Sequence, residues 1–379
     1  VVARRFVYLA PSGCPFGLAI VVGEFSDKVQ DAHADRYGMP PVRRAKVFTE
    51  TTSMLAFIFK RLGQSVLVML AVALIAFIMF RYVGDPVASM VSQEASIADQ
   101  ELLRERLGLN DPFYEQFFRF IVNALQGNFG ISYRLQTPVA DLIMSRLPAT
   151  IELALTSATI ALVFGILAGV YTALNRNSPV AAAIMAFSLI GVSLPTFLIG
   201  IGLIYIFAVE LQWLPSFGRG QVVDFGWWRT GFLTETGLRS IILPAITLSL
   251  FQMTLIMRLV RAEMLEVLRQ DYIKFARARG LSKRAINFSH ALKNTMVPVI
   301  TIAGLQLGSI ITGALITETV FQWPGIGSLF LSSVAVVDVP VMAAYLIFVG
   351  FVFVVVNLIV DLLYYAVDPR LRVGAAKGH

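Results

Sequence analysis

Apolar residues fill six long runs in this chain, at 62–82, 150–174, 180–209, 240–260, 297–317 and 339–365, and polar residues gather between them. Each run approaches or exceeds the roughly 20 residues that cross a hydrocarbon core as a helix. The pattern predicts an all-α membrane protein with six transmembrane helices. Between the first two runs lies a polar stretch with helical spacing of its own. Residues 97–107 read as one helix, ended by Gly108, and Asn110-Asp111-Pro112 restarts a second with a capping residue ahead of proline. Phe113, Phe117, Phe120 and Ala124 fall on one face of that second helix, which suits packing on the outer ends of the spans or contact with an external delivery protein.

The longest basic insert is 261–298, which carries eight Lys/Arg against three Asp/Glu. Two helices are predicted in it. The first continues out of the fourth run through Glu263, Leu265, Tyr272 and Ala276, and Gly280 stands where positive φ closes a helix. Ser282 then caps a second, short helix. Leu281, Ala285, Phe288 and Leu292 recur on one face of it, with Lys283, Asn287, His290 and Asn294 on another. A basic amphipathic helix beside a membrane lies on anionic lipid or docks into a partner's groove, and the pattern leaves both open.

Charge sets the orientation. Lys60 and Arg61 precede the first run, and with the basic insert they belong in the cytoplasm. The first span then emerges outside at Gly84-Asp85-Pro86, and Asn175-Arg176-Asn177-Ser178-Pro179 forms an inner loop. Arg104, Arg106, Arg119 and Arg134 lie outside, but they are interleaved with acids and far from the spans, where the charge rule is weak. Trp213, Trp227 and Trp228 suit an outer interfacial belt. Glu152 reads as an interfacial carboxylate or as one facing a water-filled path. Ser193-Leu194-Pro195 interrupts the third run, and Pro195 permits a kink that serves packing or a gate. Gly304, Gly308 and Gly313 allow close helix approach in the fifth span.

Composition narrows the function classes. Of 379 residues 57% are hydrophobic and 15% charged, against about 25% charged in soluble domains. The net charge of +7 sits mainly at one set of helix ends, which argues against nucleic acid as a partner. Cys14, the single cysteine, excludes an internal disulfide. His33, His290 and His379 are too scattered for metal-ligand spacing. No G-x-x-x-x-G-K-[ST], G-x-S-x-G or H-E-x-x-H occurs. No cofactor and no enzyme activity are expected, and an energy source must come from elsewhere. A carrier or channel working alone would leave the amphipathic insert without a use, and a membrane-embedded enzyme would need a catalytic constellation that the sequence lacks.

The stretch DYIKFARARGLSKRAINFSHALKNTMVPVIT, 271–301, resembles the cytoplasmic coupling loop of ABC-transporter permeases in the form used by the peptide/nickel importer subfamily. The generic loop has Glu-Ala-Ala and Leu-Pro where this chain has Lys274-Phe275-Ala276 and Leu292-Lys293, and both departures follow the subfamily's own wording. GDPV, LGLNDPFYEQFFRFI, GNFGIS, RLPAT, the run from Glu318 to Gly327 and the ending Asp368-Pro369-Arg370-Leu371-Arg372 resemble the same subfamily.

The resemblance implies a type I permease fold. Residues 1–53 would be a disordered extension or a start-site artefact, 54–146 the first span with outer amphipathic helices, 147–366 the core with its coupling loop at 261–296, and 367–379 a cytoplasmic tail. It also implies a second, homologous permease, two ATP-binding subunits, an extracytoplasmic solute-binding protein and membrane lipid as partners. The solute would be a di- or oligopeptide, with nickel, opines or glutathione as alternatives. Coupling to the ATPase would fall on Asp271, Tyr272, Ala276, Ala278, Gly280, Leu281, Ala285, Phe288, His290 and Leu292.

Overall fold

The computed structural model describes residues 54–82, 97–106 and 108–367; the expectations for 1–53, for Gly84-Asp85-Pro86 and for the tail beyond 367 lie outside the described residues. Helix α1 is Met54–Tyr82. The outer helices α2, Ile97–Arg106, and α3, Phe113–Leu125, follow. Helix α4 is Val139–Leu174, α5 Pro179–Ser193, and α6 Thr196–Leu203, which runs on as a π-helical stretch, Ile204–Glu210. An outer loop with a two-stranded antiparallel ribbon, β1 Val223–Asp224 and β2 Arg229–Thr230, leads to α7, Glu235–Val267. Helix α8 is Asp271–Ala278, and a π-helical segment, Ala285–Leu292, passes without a break into α9, Lys293–Val320. Helices α10, Ile326–Ala335, and α11, Val339–Val367, complete the fold.

Four helices, α1, α4, α7 and α11, are each long and apolar enough to cross a bilayer, and two bent pairs raise the number to six when each pair is one span. The first pair is α5 with α6, and the second is α9 itself, bent by 49° between Ile310 and Thr312.

The third span departs from the expected kink. Its halves meet at 112°. Pro195 forces Leu194 into an extended conformation (φ −97°, ψ 139°), so α5 ends there and α6 begins as a new helix behind Pro195. The outer helices also differ in one detail. Asp111 does not cap α3, whose first residue follows Pro112, and its carboxylate instead pairs with Arg119. The aromatic face of α3 is as expected: Phe113, Phe117 and Phe120 close around Phe77 of α1.

Packing is most extensive where α4 crosses α7. A Cβ on Gly169 would lie 2.7 Å from Val260 Cβ and 2.8 Å from the Met257 carbonyl oxygen, so only hydrogen fits at that crossing. Ala149, Leu153, Ala158, Ile241, Ala245 and Leu248 join Ile310, Ala314 and Trp323 in one core cluster. Ala161, Val170, Ile256 and Val260 join Val299 and Ala303 in another. In α9, Gly304 receives Val360 and Gly308 receives Phe353, both from α11. Helix α1 is mostly uncovered and is tied to α11 through Arg61–Asp361 at 3.0 Å, near the inner end.

Two buried polar clusters fix the outer side. Glu152 is buried in an ion pair with Arg219 of the outer loop at 2.6 Å. Arg219 also donates to the Arg229 carbonyl at 2.6 Å and lies over the Trp323 ring. The carboxylate therefore faces protein and not a water path. The second cluster centres on Glu318, fully buried, which accepts from Thr150 Oγ1 (2.6 Å) and from the Ser328 backbone N–H (2.9 Å). Thr150 Oγ1 in turn accepts from the Ile326 N–H (2.9 Å), and Trp323 Nε1 donates to the Ala149 carbonyl (2.9 Å). The segment from Glu318 to Gly327 is thus folded against α4 at Ala149 and Thr150.

Removing one partner of a buried ion pair strands the other charge. Arg219→Met is expected to cost about 3–5 kcal/mol, and Glu152→Leu/Arg219→Met together to recover most of it. Thermal unfolding of the purified protein in detergent reads both. A single variant as stable as the parent contradicts the reading.

Candidate coupling site

The basic insert folds as a compact inner cap. Helix α7 stops at Val267 rather than continuing through Tyr272 and Ala276 as expected; Leu268 to Gln270 form a turn, and α8 starts afresh at Asp271. Ile273 and Ala276 of α8 turn inward and meet Met264, Ala173, Ile286 and Ala291 in a single apolar cluster. The cap therefore sits directly on the inner ends of α4 and α7.

Helix α8 closes as the sequence requires. The Gly280 N–H donates to the Arg277 carbonyl (3.0 Å) and the Leu281 N–H reaches back to the Ala276 carbonyl (3.3 Å), the paired bonds of a Schellman motif. Gly280 has φ +79°, a left-handed conformation that an L side chain adopts at a cost. Ser282 Oγ then accepts from the Ala285 N–H (3.3 Å) and caps the next helix. That helix is not short. It continues through the π-helical segment into the whole of α9.

The π-helical segment redistributes the expected face. With i→i+5 bonding, positions spaced for an α-helix no longer line up. Phe288 stays 52% exposed and Leu281, just ahead of the helix, 37% exposed. Ala285 is half-buried, and Leu292 turns inward to pack beside Met296 against the cluster of Ala161, Val170 and Val260. Asp271, Ala278, Gly280 and His290 are exposed, as is Tyr272, whose hydroxyl accepts from Asn294 Nδ2 at 2.7 Å and ties α8 to the root of α9. Ala276 lies beneath this surface. Lys274 donates to the Asp271 carboxylate at 2.8 Å, and that hydrogen bond holds the Asp271 pKa below its ordinary value.

Phe275, 64% exposed with the Arg279 guanidinium over its ring, is the most exposed large apolar side chain of the cap among the described residues. It was missed because Phe275 sits one residue ahead of the inward Ala276, on no stripe with Leu281. An open cavity of about 500 Å³ lies beside the cap at the α7–α8 turn, lined by Ala262, Leu265, Glu266, Arg269, Gln270 and Asp271. Pro195, the expected kink or gate, lies at the break between α5 and α6 and not in this cap. Nothing in this arrangement is set for bond chemistry. It is an apolar surface ringed by Arg277, Arg279, Lys283 and Arg284 and braced on two spans, which suits docking.

The fold is a bundle of apolar, membrane-length helices with an amphipathic cap packed on the ends of α4 and α7. Residues 144–373 match the family described as the inner membrane component of binding-protein-dependent transport systems, and residues 54–154 match the N-terminal region of such membrane components. The chain belongs to this family, the permease subunits of ATP-binding-cassette importers. A di/tripeptide transport system permease protein of Pseudomonas aeruginosa is 39% identical over 335 residues, covering 84% of this chain and 99% of the relative. A glutathione transport system permease protein of Escherichia coli is 37% identical over 320 residues, with the same coverage. Among solved structures, the methionine ABC transporter MetNI in an inward-facing conformation aligns with a TM-score of 0.49 at 18% identity, covering 60% of this chain and 96% of that one.

The space around Gly280 is open, so a side chain there meets only the backbone penalty. Gly280→Val is expected to destabilise the cap by about 1–2 kcal/mol. Limited proteolysis of inside-out vesicles should show faster nicking between Ala278 and Ser282 at unchanged membrane abundance. Cleavage at the parent's rate contradicts this.

Proposed function

We propose that this chain carries di- or oligopeptides across the cytoplasmic membrane of a bacterium, working beside a second permease, two ATP-binding subunits and an extracytoplasmic solute-binding protein. The observation that carries the proposal is the inner cap, an exposed aromatic surface mounted rigidly on α4, α7 and α9. In this reading ATP is hydrolysed by the partners. Closure of their ATP-bound pair moves Phe275, Leu281 and Phe288, and the packed cluster beneath conveys the movement to the spans. The peptide assignment is supported by the di/tripeptide and glutathione permeases to which the chain is similar over their whole length. Glutathione is itself a tripeptide, so both relatives point to short peptide-like solutes.

Continuity supports the mechanism. From Lys283 the chain is helical to Val320 with a 49° bend between Ile310 and Thr312, so one bent rod reaches from the cap to Glu318 at the outer side. Displacement of the cap is thereby delivered to the outer turn that Glu318 and Thr150 hold together. Asn294–Tyr272 and the inward cluster keep α8 moving with that rod.

Burying a phenylalanine contributes roughly 1.5–3 kcal/mol, so replacing one docked ring by a carboxylate should weaken ATPase retention about tenfold or more. Phe288→Asp is the variant to make, because its side chain touches solvent and its loss leaves the cluster beneath intact. Co-purification of the ATP-binding subunits and ATP-driven uptake of a labelled tripeptide should both fall, with membrane abundance unchanged. Parent-like uptake and retention in that variant contradict docking at this surface.

A further inference from the structure

Midway through the membrane, α7 and α9 share a polar cluster that the coupling mechanism does not use. Gln252 lies near the middle of α7, and Gln306 and Ser309 near the middle of α9. Gln252 is only 5% exposed, and its Nε2 donates to Ser309 Oγ at 2.8 Å. The Ser309 hydroxyl proton lies within reach of both the Gln306 carbonyl (2.7 Å) and Gln306 Oε1 (3.0 Å). Two polar groups are left over. Gln252 Oε1 is buried with no hydrogen-bond partner, and Gln306 Nε2 donates to no group among the described residues.

The rest of α9 shows which way this cluster faces. Val299, Ala303, Ile310 and Ala314 are buried in the core, and Gly304 and Gly308 pack on α11. Ser309 and Thr312 point away from both and are exposed, with Gln306 half-exposed beside them. Thr312 satisfies itself on the Gly308 carbonyl, as hydroxyls on membrane helices do. The Gln306 Nε2 finds no such local partner among the described residues, unlike Asn357 Nδ2, which donates to the Phe353 carbonyl. Lipid tails offer neither donor nor acceptor, so a free carboxamide at this depth requires water, a partner's polar group or a polar solute.

A carboxamide offers donors and an acceptor in one plane, the complement of a peptide group. It recognises what all peptides share and ignores their side chains. Resting on the peptide reading above, we infer that Gln306 and Ser309, positioned by the buried Gln252, form a contact site on the translocation path for the backbone amide of the passing solute. Ser309 links the two glutamines: the buried Gln252 amide holds Ser309 in place, and the half-exposed Gln306 presents its free amide donor on the wall. Such a site would engage short peptides with little regard to their side chains.

The test uses the complete importer, with its binding protein, in proteoliposomes and a Cys14→Ser background. Ser309→Cys should react with a charged, membrane-impermeant methanethiosulfonate about tenfold or more faster than Leu155→Cys, an exposed apolar position on α4, because the reagent needs water to reach its target. Turnover with an unlabelled tripeptide should slow that reaction. Gln306→Leu should lower kcat/KM for tripeptide uptake about tenfold or more, with melting temperature and ATPase retention at the parent's level, and Gln306→Asn should restore part of it. If Ser309→Cys yields only to a membrane-permeant maleimide, the cluster is helix-packing polarity and the inference is overturned. Parent-like uptake in Gln306→Leu overturns it equally. If the unsubstituted importer moves no tripeptide, the functional reading fails and the peptide site falls with it, whereas sound parent uptake with either failure above removes this site alone.

Discussion

A hydrocarbon core supplies no hydrogen bonds, so every polar group this chain carries into the membrane must find its partner within protein or along a watered path. That requirement explains the architecture more fully than any single contact. Hydroxyls along the spans bond back to carbonyls one turn earlier, as Ser157, Thr172 and Thr247 do. Carboxylates are drawn to the outer ends and locked there, Glu152 by Arg219, Glu318 by Thr150 and the Ser328 amide, and Asp338 by Ser132 and the Tyr133 amide. Each lock joins segments distant in sequence, so the outer side is held by polar contacts while the middle is held by close helix packing.

The inner side obeys a different rule. There the apolar underside of the cap fastens it to α4 and α7, while Phe275, Leu281 and Phe288 stay exposed. The π-helical segment matters here. By changing the bonding pitch over Ala285–Leu292 it turns Ile286, Ala291 and Leu292 inward while Phe288 stays outward.

Much of this was legible in the sequence because it follows from local rules. Six apolar runs mark spans whatever their partners, Gly280 announces a left-handed residue, and Ser282 announces a helix start. The aromatic spacing of Phe113, Phe117 and Phe120 likewise gave their common face. What was not legible depends on distance or on pitch. Glu152 and Arg219 are far apart in the chain, and nothing near Arg219 marks it as a buried cation. Pro195 foretold an interruption, but the 112° turn depends on where α7 receives both halves. The expected stripe of Leu281, Ala285, Phe288 and Leu292 assumed α-helical pitch, and the π-helical bonding that dispersed it leaves no trace in local composition.

The central claim is that charge and bilayer together place the cap in the cytoplasm and the α2–α3 region outside. Single cysteines in a Cys14→Ser background test it directly. Asn123→Cys should be labelled by a membrane-impermeant maleimide in intact cells or spheroplasts, whereas Asn177→Cys and Ser282→Cys should be labelled only after permeabilisation. Labelling of Ser282→Cys from outside would contradict the arrangement and, with it, the coupling surface.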